Sequence, residues 1–199
     1  VYQASPYIEA YGNTEMGLAA PASSVAGQPD SLPLSARQGG VPTGALSIDY
    51  RTLLYMRIAF ADNPNEVVQV ESSAYFDLRT ASDSILEASY GRMQILPTVS
   101  PIIVLPELQS FYASAGTHRL ASDALEVAVG MGYSPNDYGH RVYRYNGEPG
   151  SFGGFAIIGA NPGNIWMRAS SASLLVHEIG HNFRLFHSNG WDTDGKASI

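Results

Sequence analysis

The most informative stretch of the sequence is HEIGHNFRLFH, residues 177–187. On a helix, His177 and His181 are separated by about 40° around the axis and about 6 Å along it, so both imidazoles can reach one cation. Glu178 is the helix neighbour of His177, and its carboxylate can lie beside a position that the protein leaves open on that cation. With 5 His in 199 residues, the pattern of three His and one Glu arises by chance in roughly one of 7,000 sequences. The spacing predicts a helix over residues 170–183 that carries two metal ligands and a general base.

His187 can be the third ligand only if this helix ends soon after His181. On a continuous helix, His187 would lie about 9 Å beyond His181 and about 240° around the axis. We therefore expect a sharp turn within residues 182–185, and such a turn usually needs a residue at positive φ. Three nitrogen ligands with one open position are typical of a catalytic zinc site. A downstream carboxylate, Asp192 or Asp194, is the alternative third ligand.

The residues before this motif alternate between strand patterns and helix patterns. The predicted strands are residues 53–60, 95–105, 141–145, 155–158 and 165–167, and the predicted helices are residues 73–90 and 120–129. Pro97 and Pro101 interrupt the second of these strands, which places it at a sheet edge or a bend. Strands that alternate with helices indicate an α/β sandwich.

Residues 1–45 differ in character from the rest of the chain. They contain five prolines separated by small residues, Pro6, Pro21, Pro29, Pro33 and Pro42. Such a segment lacks the periodicity of a helix or a strand. We predict an extended amino-terminal segment or propeptide tail over residues 1–45, followed by a zinc-binding catalytic subdomain over residues 46–199.

The composition excludes several classes of partner and site. The formal net charge is −7, and Lys196 is the only lysine, so the basic surface that nucleic acid or anionic lipid requires is absent from the sequence. There are no cysteines, which excludes disulfides and thiolate zinc sites. No apolar run approaches the roughly 20 residues of a membrane span. We therefore expect no nucleic-acid partner and no membrane span.

The motif as a whole resembles the metzincin signature H-E-x-x-H-x-x-G-x-x-H. Val176 before it, Asn182-Phe183 inside it and Ser188 after it make this copy most similar to the gametolysin (autolysin) family. The glycine-rich run SFGGFA, residues 151–156, is similar to that family as well. The resemblance covers about residues 50–190, and its specific motifs lie in the last forty of them.

This resemblance implies a fold and an activity. The implied fold is a metzincin-like upper subdomain, in which a twisted mixed sheet has an antiparallel edge strand, two backing helices and the active-site helix. The implied activity is that of a secreted, extracellular or cell-surface zinc endopeptidase that hydrolyses peptide bonds of extracellular proteins through a metal-bound water activated by Glu178. The protein or peptide substrate then lies antiparallel to an edge strand above the metal. We expect that strand to include the substrate-binding residues Gly153, Gly154, Phe155 and Ala156.

The sequence departs from the metzincin pattern at two points. Arg184 occupies the position of the turn glycine, so the turn is made either at Asn182, which tolerates positive φ, or at Arg184 with strain. The methionine turn of metzincins follows the third histidine, whereas the methionines here all precede it, at positions 16, 56, 93, 131 and 167. We expect the carboxy-terminal subdomain to be missing from this chain and to lie on another chain or beyond Ile199.

There are two alternatives to an active endopeptidase, and these departures motivate the first of them. The first is a weakly active or inactive metzincin-like module with an adhesion, cell-wall or surface structural role. The second is a metal-binding protein without a peptide cleft, in which the glycine-rich strand is covered. The remaining histidines, His118 and His140, stand alone in the sequence, and we predict ordinary surface or core positions for them.

Overall fold

The computed structural model describes residues 47–187. The predicted amino-terminal segment, residues 1–45, lies outside the described residues, as do Ser188, Asp192 and Asp194. Within residues 47–187, none of the helices combines the length and hydropathy that a bilayer crossing requires.

A five-stranded mixed sheet forms the centre of the described domain. Its strands are β1 (Asp49–Ala59), β2 (Met93–Val104), β3 (His140–Arg144), β4 (Gly154–Ala156) and β5 (Gly163–Met167). They are arranged in the order β2-β1-β3-β5-β4, and every neighbouring pair is parallel except β5 and β4, which are antiparallel. This confirms the predicted α/β fold with an antiparallel edge strand, and it confirms that the proline-interrupted strand β2 lies at a sheet edge.

In the described part of the chain, residues 47–187, four α-helices cover the sheet, two on each face. They are α1 (Glu71–Ala88), α2 (Gln109–Ala115), α3 (Thr117–Gly130) and α4 (Ala172–Asn182), and a 3₁₀ helix spans Pro135–Asp137. Side chains of β1 alternate between the faces because successive residues of a strand point to opposite sides. Leu54 and Met56 are buried with α2 and α3, whereas Leu53 and Tyr55 are buried with α1 and α4. The predicted metal helix α4 therefore packs on the same face as α1, next to β4 and β5.

The element boundaries differ from the prediction by at most four residues, and one helix was not predicted. Helix α2 has seven residues and buries only Tyr112, so its sequence shows no apolar repeat of helical period. The predicted strand over residues 155–158 is also shorter, since β4 spans Gly154–Ala156, and Gly153, which we expected on this edge strand, immediately precedes it. Three helices besides α4 thus back the sheet, where two were predicted: α1 shares a face with α4, and α2 and α3 lie on the other face.

Candidate metal centre and its cleft

Helix α4 presents two histidines to solvent because its apolar residues face the sheet. The side-chain oxygen of Ser171 accepts a hydrogen bond from the Leu174 amide, 3.3 Å away, and thereby caps the first turn. From there the helix buries Leu175, Glu178, Ile179 and Asn182, which recur at the three- and four-residue spacing of one helix face. His177 and His181 lie on the opposite side, exposed and half-buried respectively.

The helix ends in a tight left-handed turn centred on Arg184. The Leu185 amide donates to the Gly180 carbonyl at 3.0 Å, and the Arg184 amide donates to the His181 carbonyl at 2.9 Å. This is the hydrogen-bond pattern of a Schellman motif, in which the residue after the helix cap is left-handed. Arg184 has φ 68°, so the turn is made at Arg184 with strain and not at Asn182, which belongs to the helix.

The turn brings His187 back to the two histidines of the helix. The three Nε2 atoms of His177, His181 and His187 form a triangle whose sides are each 3.1 Å. A circle through such a triangle has a radius of about 1.8 Å (3.1/√3), which is shorter than a Zn–N bond of about 2.0–2.1 Å, so one ion of that kind can touch all three nitrogens. The three histidines can hold a metal ion.

One of these imidazoles is already oriented for metal binding by the turn itself. The Nδ1 atom of His181 lies 2.7 Å from the Leu185 carbonyl oxygen. Since a carbonyl oxygen only accepts hydrogen bonds, Nδ1 carries the proton and Nε2 keeps its lone pair. A hydrogen bond of this kind fixes both the tautomer and the ring plane of a metal-binding histidine.

Glu178 lies at the buried side of the same site. Its side chain is only 4% exposed, and its Oε2 atom has no hydrogen-bond partner among the described residues. Burial raises the pKa of the Glu178 carboxyl, while the nearby His181 and His187 act to lower it. A desolvated carboxylate with an unpaired oxygen is suited to accept a proton from a group in the adjoining space.

The adjoining space is a cleft of about 880 Å³ between α4 and the edge strand β4. It is lined by the three histidines, by Glu178 and by the four residues predicted to bind substrate. The other lining residues are Ile158, Ser173, Leu174 and Phe186. The geometry thus brings together all the predicted site residues, although they come from two segments of the chain.

Among the residues that the structure describes, strand β4 has a partner along one edge only, and its other edge is free. The partner is β5, where the Gly153 carbonyl accepts from the Arg168 amide at 2.9 Å and the Ile157 amide donates to the Asn164 carbonyl at 3.3 Å. In an antiparallel pair, the backbone groups of alternate residues point toward the same side. The backbone groups of Gly154 and Ala156 therefore point away from β5, toward the free edge.

A histidine that the sequence did not single out supports this arrangement. His140, at the start of β3, is buried, and its Nδ1 lies 3.0 Å from the Asn182 side-chain oxygen, while the Asn182 amide nitrogen donates to the Ile157 carbonyl at 3.0 Å. Burial lowers the pKa of His140, although the hydrogen bond to Asn182 acts to raise it. Gly163 leaves the space for this contact, because a Cβ atom there would lie 2.1 Å from the Asn182 oxygen. His140 occupies a core position as predicted, and Asn182, to which it bonds, connects helix α4 both to the start of β3 and to Ile157, just past the edge strand.

His118 lies elsewhere. Its ring packs edge-on against Trp166 at a centroid distance of 5.6 Å, and it belongs neither to the metal cluster nor to the cleft lining. His118 therefore has no part in the candidate site.

Comparisons with known proteins assign no family to the chain. Neither a protein-family model nor a curated protein matches the chain. A solved structure titled "Structure of a chaperone-substrate complex" is similar over 74% of this chain, with 17% sequence identity and a TM-score of 0.44. The match spans 28% of that structure's chain. A likeness at this level supports no conclusion about what the chain does.

Proposed function

We propose that the chain is a zinc-dependent endopeptidase whose site comprises His177, His181, His187 and Glu178. The observation that carries the proposal is the convergence of three Nε2 atoms at 3.1 Å beside a buried carboxylate in one open cleft. Three imidazole nitrogens suit zinc among the common protein metals. The resemblance of the motif to gametolysin supports the same activity and a location outside the cell or at its surface.

The chemistry divides between the metal and the protein. Bound zinc would polarise the scissile carbonyl and increase the acidity of the attacking water. Glu178 accepts the proton that water loses as its oxygen bonds to the carbonyl carbon. When the C–N bond breaks, Glu178 returns that proton to the leaving amine, so the carboxylate is regenerated in each cycle.

The free edge of β4 supports a peptide rather than a small molecule as substrate. An extended peptide placed antiparallel to this edge can exchange hydrogen bonds with the outward-pointing backbone groups of Gly154 and Ala156. Such pairing is independent of the peptide's side chains, which is consistent with cleavage of protein substrates. Edge strands also tend to pair with other chains unless something occupies or protects them.

The decisive experiment compares the parent chain with Glu178→Gln. Both proteins are loaded with zinc, their metal content is measured, and each is incubated with a denatured protein substrate. Since Glu178 is not a ligand in this geometry, the variant should keep its zinc and lose roughly 10²- to 10⁴-fold in rate. Equal cleavage by both proteins would remove Glu178 as the base. Failure of the zinc-loaded parent to cleave any substrate would leave the non-catalytic adhesion or surface module as the better account.

A further inference from the structure

Gly154 is in unusually close contact with Glu178. A Cβ atom at position 154 would lie 2.5 Å from Oε1 of Glu178 and 3.0 Å from its Cδ and Cγ atoms. These three nearest atoms all belong to one side chain, and none belongs to the backbone. Any side chain at position 154 would therefore displace the Glu178 carboxylate before it displaced the strand.

The position of this carboxylate depends on packing. Oε2 is buried and has no hydrogen-bond partner among the residues that the structure describes, so no bond holds that oxygen in place. The backbone of β4 lies on one side of the carboxylate and the body of α4 on the other. The absence of a side chain at Gly154 decides how closely the two elements approach and where the carboxylate lies.

We infer that Gly154 is a positioning residue for the carboxylate of Glu178. The contact itself is observed, whereas its catalytic consequence rests on the proposed function. By lacking a Cβ atom, Gly154 lets the edge strand confine the carboxylate to the side of the cleft that faces the three histidines. Gly154 thus has two roles. Its Cα, which carries no Cβ, sets the position of the Glu178 carboxylate, and its backbone N–H and C=O groups point toward the free edge.

The requirement is specific to this position. At the neighbouring Gly153, a Cβ atom would meet only Cδ2 of Leu174, at 3.9 Å, which is an ordinary van der Waals contact. Two residues along β4, Ala156 carries a methyl group and is buried on the same face as α4. The steric exclusion is therefore a property of position 154 and not of the whole strand.

The first test is a kinetic double-mutant cycle on the zinc-loaded full chain. Gly154→Ala should keep its zinc and lower kcat by roughly 10- to 100-fold, because misplacing a reacting group by about 1 Å has effects of this size. In a Glu178→Asp background the carboxylate is withdrawn by one methylene, so adding Gly154→Ala should cost less than about 3-fold. An equal loss in both backgrounds would overturn the inference, since it would show that residue 154 acts through the substrate strand alone.

The second test does not depend on activity and therefore separates this inference from the proposed function. In the metal-free full chain, Gly154→Ala should lower the unfolding temperature by roughly 2–10 °C when Glu178 is present. In a Glu178→Ala background the same substitution should have no destabilising effect. Gly130→Ala is the matched control, because a Cβ atom there has no neighbour within 4 Å, and it should not lower the unfolding temperature. A loss that is the same with and without the Glu178 side chain would overturn the steric claim, even if the protein proves to be no enzyme.

Discussion

Replacing Arg184 by glycine tests whether the turn that brings in His187 stores strain. Arg184 has φ 68°, a region that costs a non-glycine residue about 1–2 kcal/mol. Glycine removes this cost but gives the unfolded chain more freedom, which offsets about 0.5–1 kcal/mol of the gain. The Arg184 side chain is exposed, so its loss has little further effect. The expected net stabilisation is about 0.5–1 kcal/mol.

Thermal unfolding of the full chain measures this effect. For a chain of this size, the gain should raise the unfolding temperature by about 1–4 °C, and it should be seen both without metal and with zinc. Arg184→Ala is the control, because alanine keeps a Cβ atom in the left-handed region and should give no such gain. A lower unfolding temperature for the glycine variant, or the same gain for both variants, would refute the strain argument.

Three further predictions follow from the metal cluster and from its connection to the sheet. His187→Ala removes a proposed ligand and should weaken zinc binding more than roughly 10- to 100-fold, which is the loss expected when a residue that only supports a ligand is removed. His118→Ala should leave zinc binding unchanged. Equilibrium dialysis against zinc decides this, and an unchanged affinity in the first variant would indicate a downstream carboxylate as third ligand. Asn182→Ala should lower the free energy of unfolding by about 1–4 kcal/mol, because it leaves the buried His140 Nδ1–H without a partner and removes the donor to the half-buried Ile157 carbonyl; a loss below about 1 kcal/mol in denaturant titration would contradict this. Burial lowers the pKa of His140 in the folded chain, so below about pH 6.5 the unfolded chain binds a proton more readily than the folded chain does. The stability that depends on a neutral His140 is therefore complete above about pH 6.5 and is lost as the pH falls toward the lower folded-state pKa. The metal-free parent should therefore lose stability below about pH 6.5 more steeply than His140→Gln, and equal slopes would assign the acid sensitivity to another group.

The metal cluster was predictable from the sequence because its geometry is local. The proximity of His177 and His181 on α4 follows from helical periodicity alone, and the need for a turn before His187 follows from the same calculation. The sequence also indicated that one of two residues would make that turn. It could not choose Arg184 over Asn182, because the choice depends on whether the Asn182 side chain is free, and in the fold that side chain bonds to His140 and to the Ile157 carbonyl.

The contacts between elements were not predictable. His140 and Asn182 are 42 residues apart, and no spacing rule connects the start of a strand to the end of a helix. The approach of Gly154 to Glu178 likewise depends on how α4 lies across the sheet. The strand pattern identified β4, and the resemblance to metzincins implied its role, but the reason for glycine at position 154 becomes visible only when the two elements are placed together.

The metal cluster also has a consequence for folding. All three nitrogen donors come from residues 177–187, so closing this short loop around a cation costs little chain entropy compared with joining distant segments. On the proposed function, zinc would therefore be able to bind the chain before the sheet has formed, and its binding would favour the native state less strongly. A ligand that also binds the unfolded ensemble stabilises the native state by less than its affinity for the native state alone would suggest. The difference in unfolding temperature between the metal-free and zinc-loaded parent measures that remaining preference.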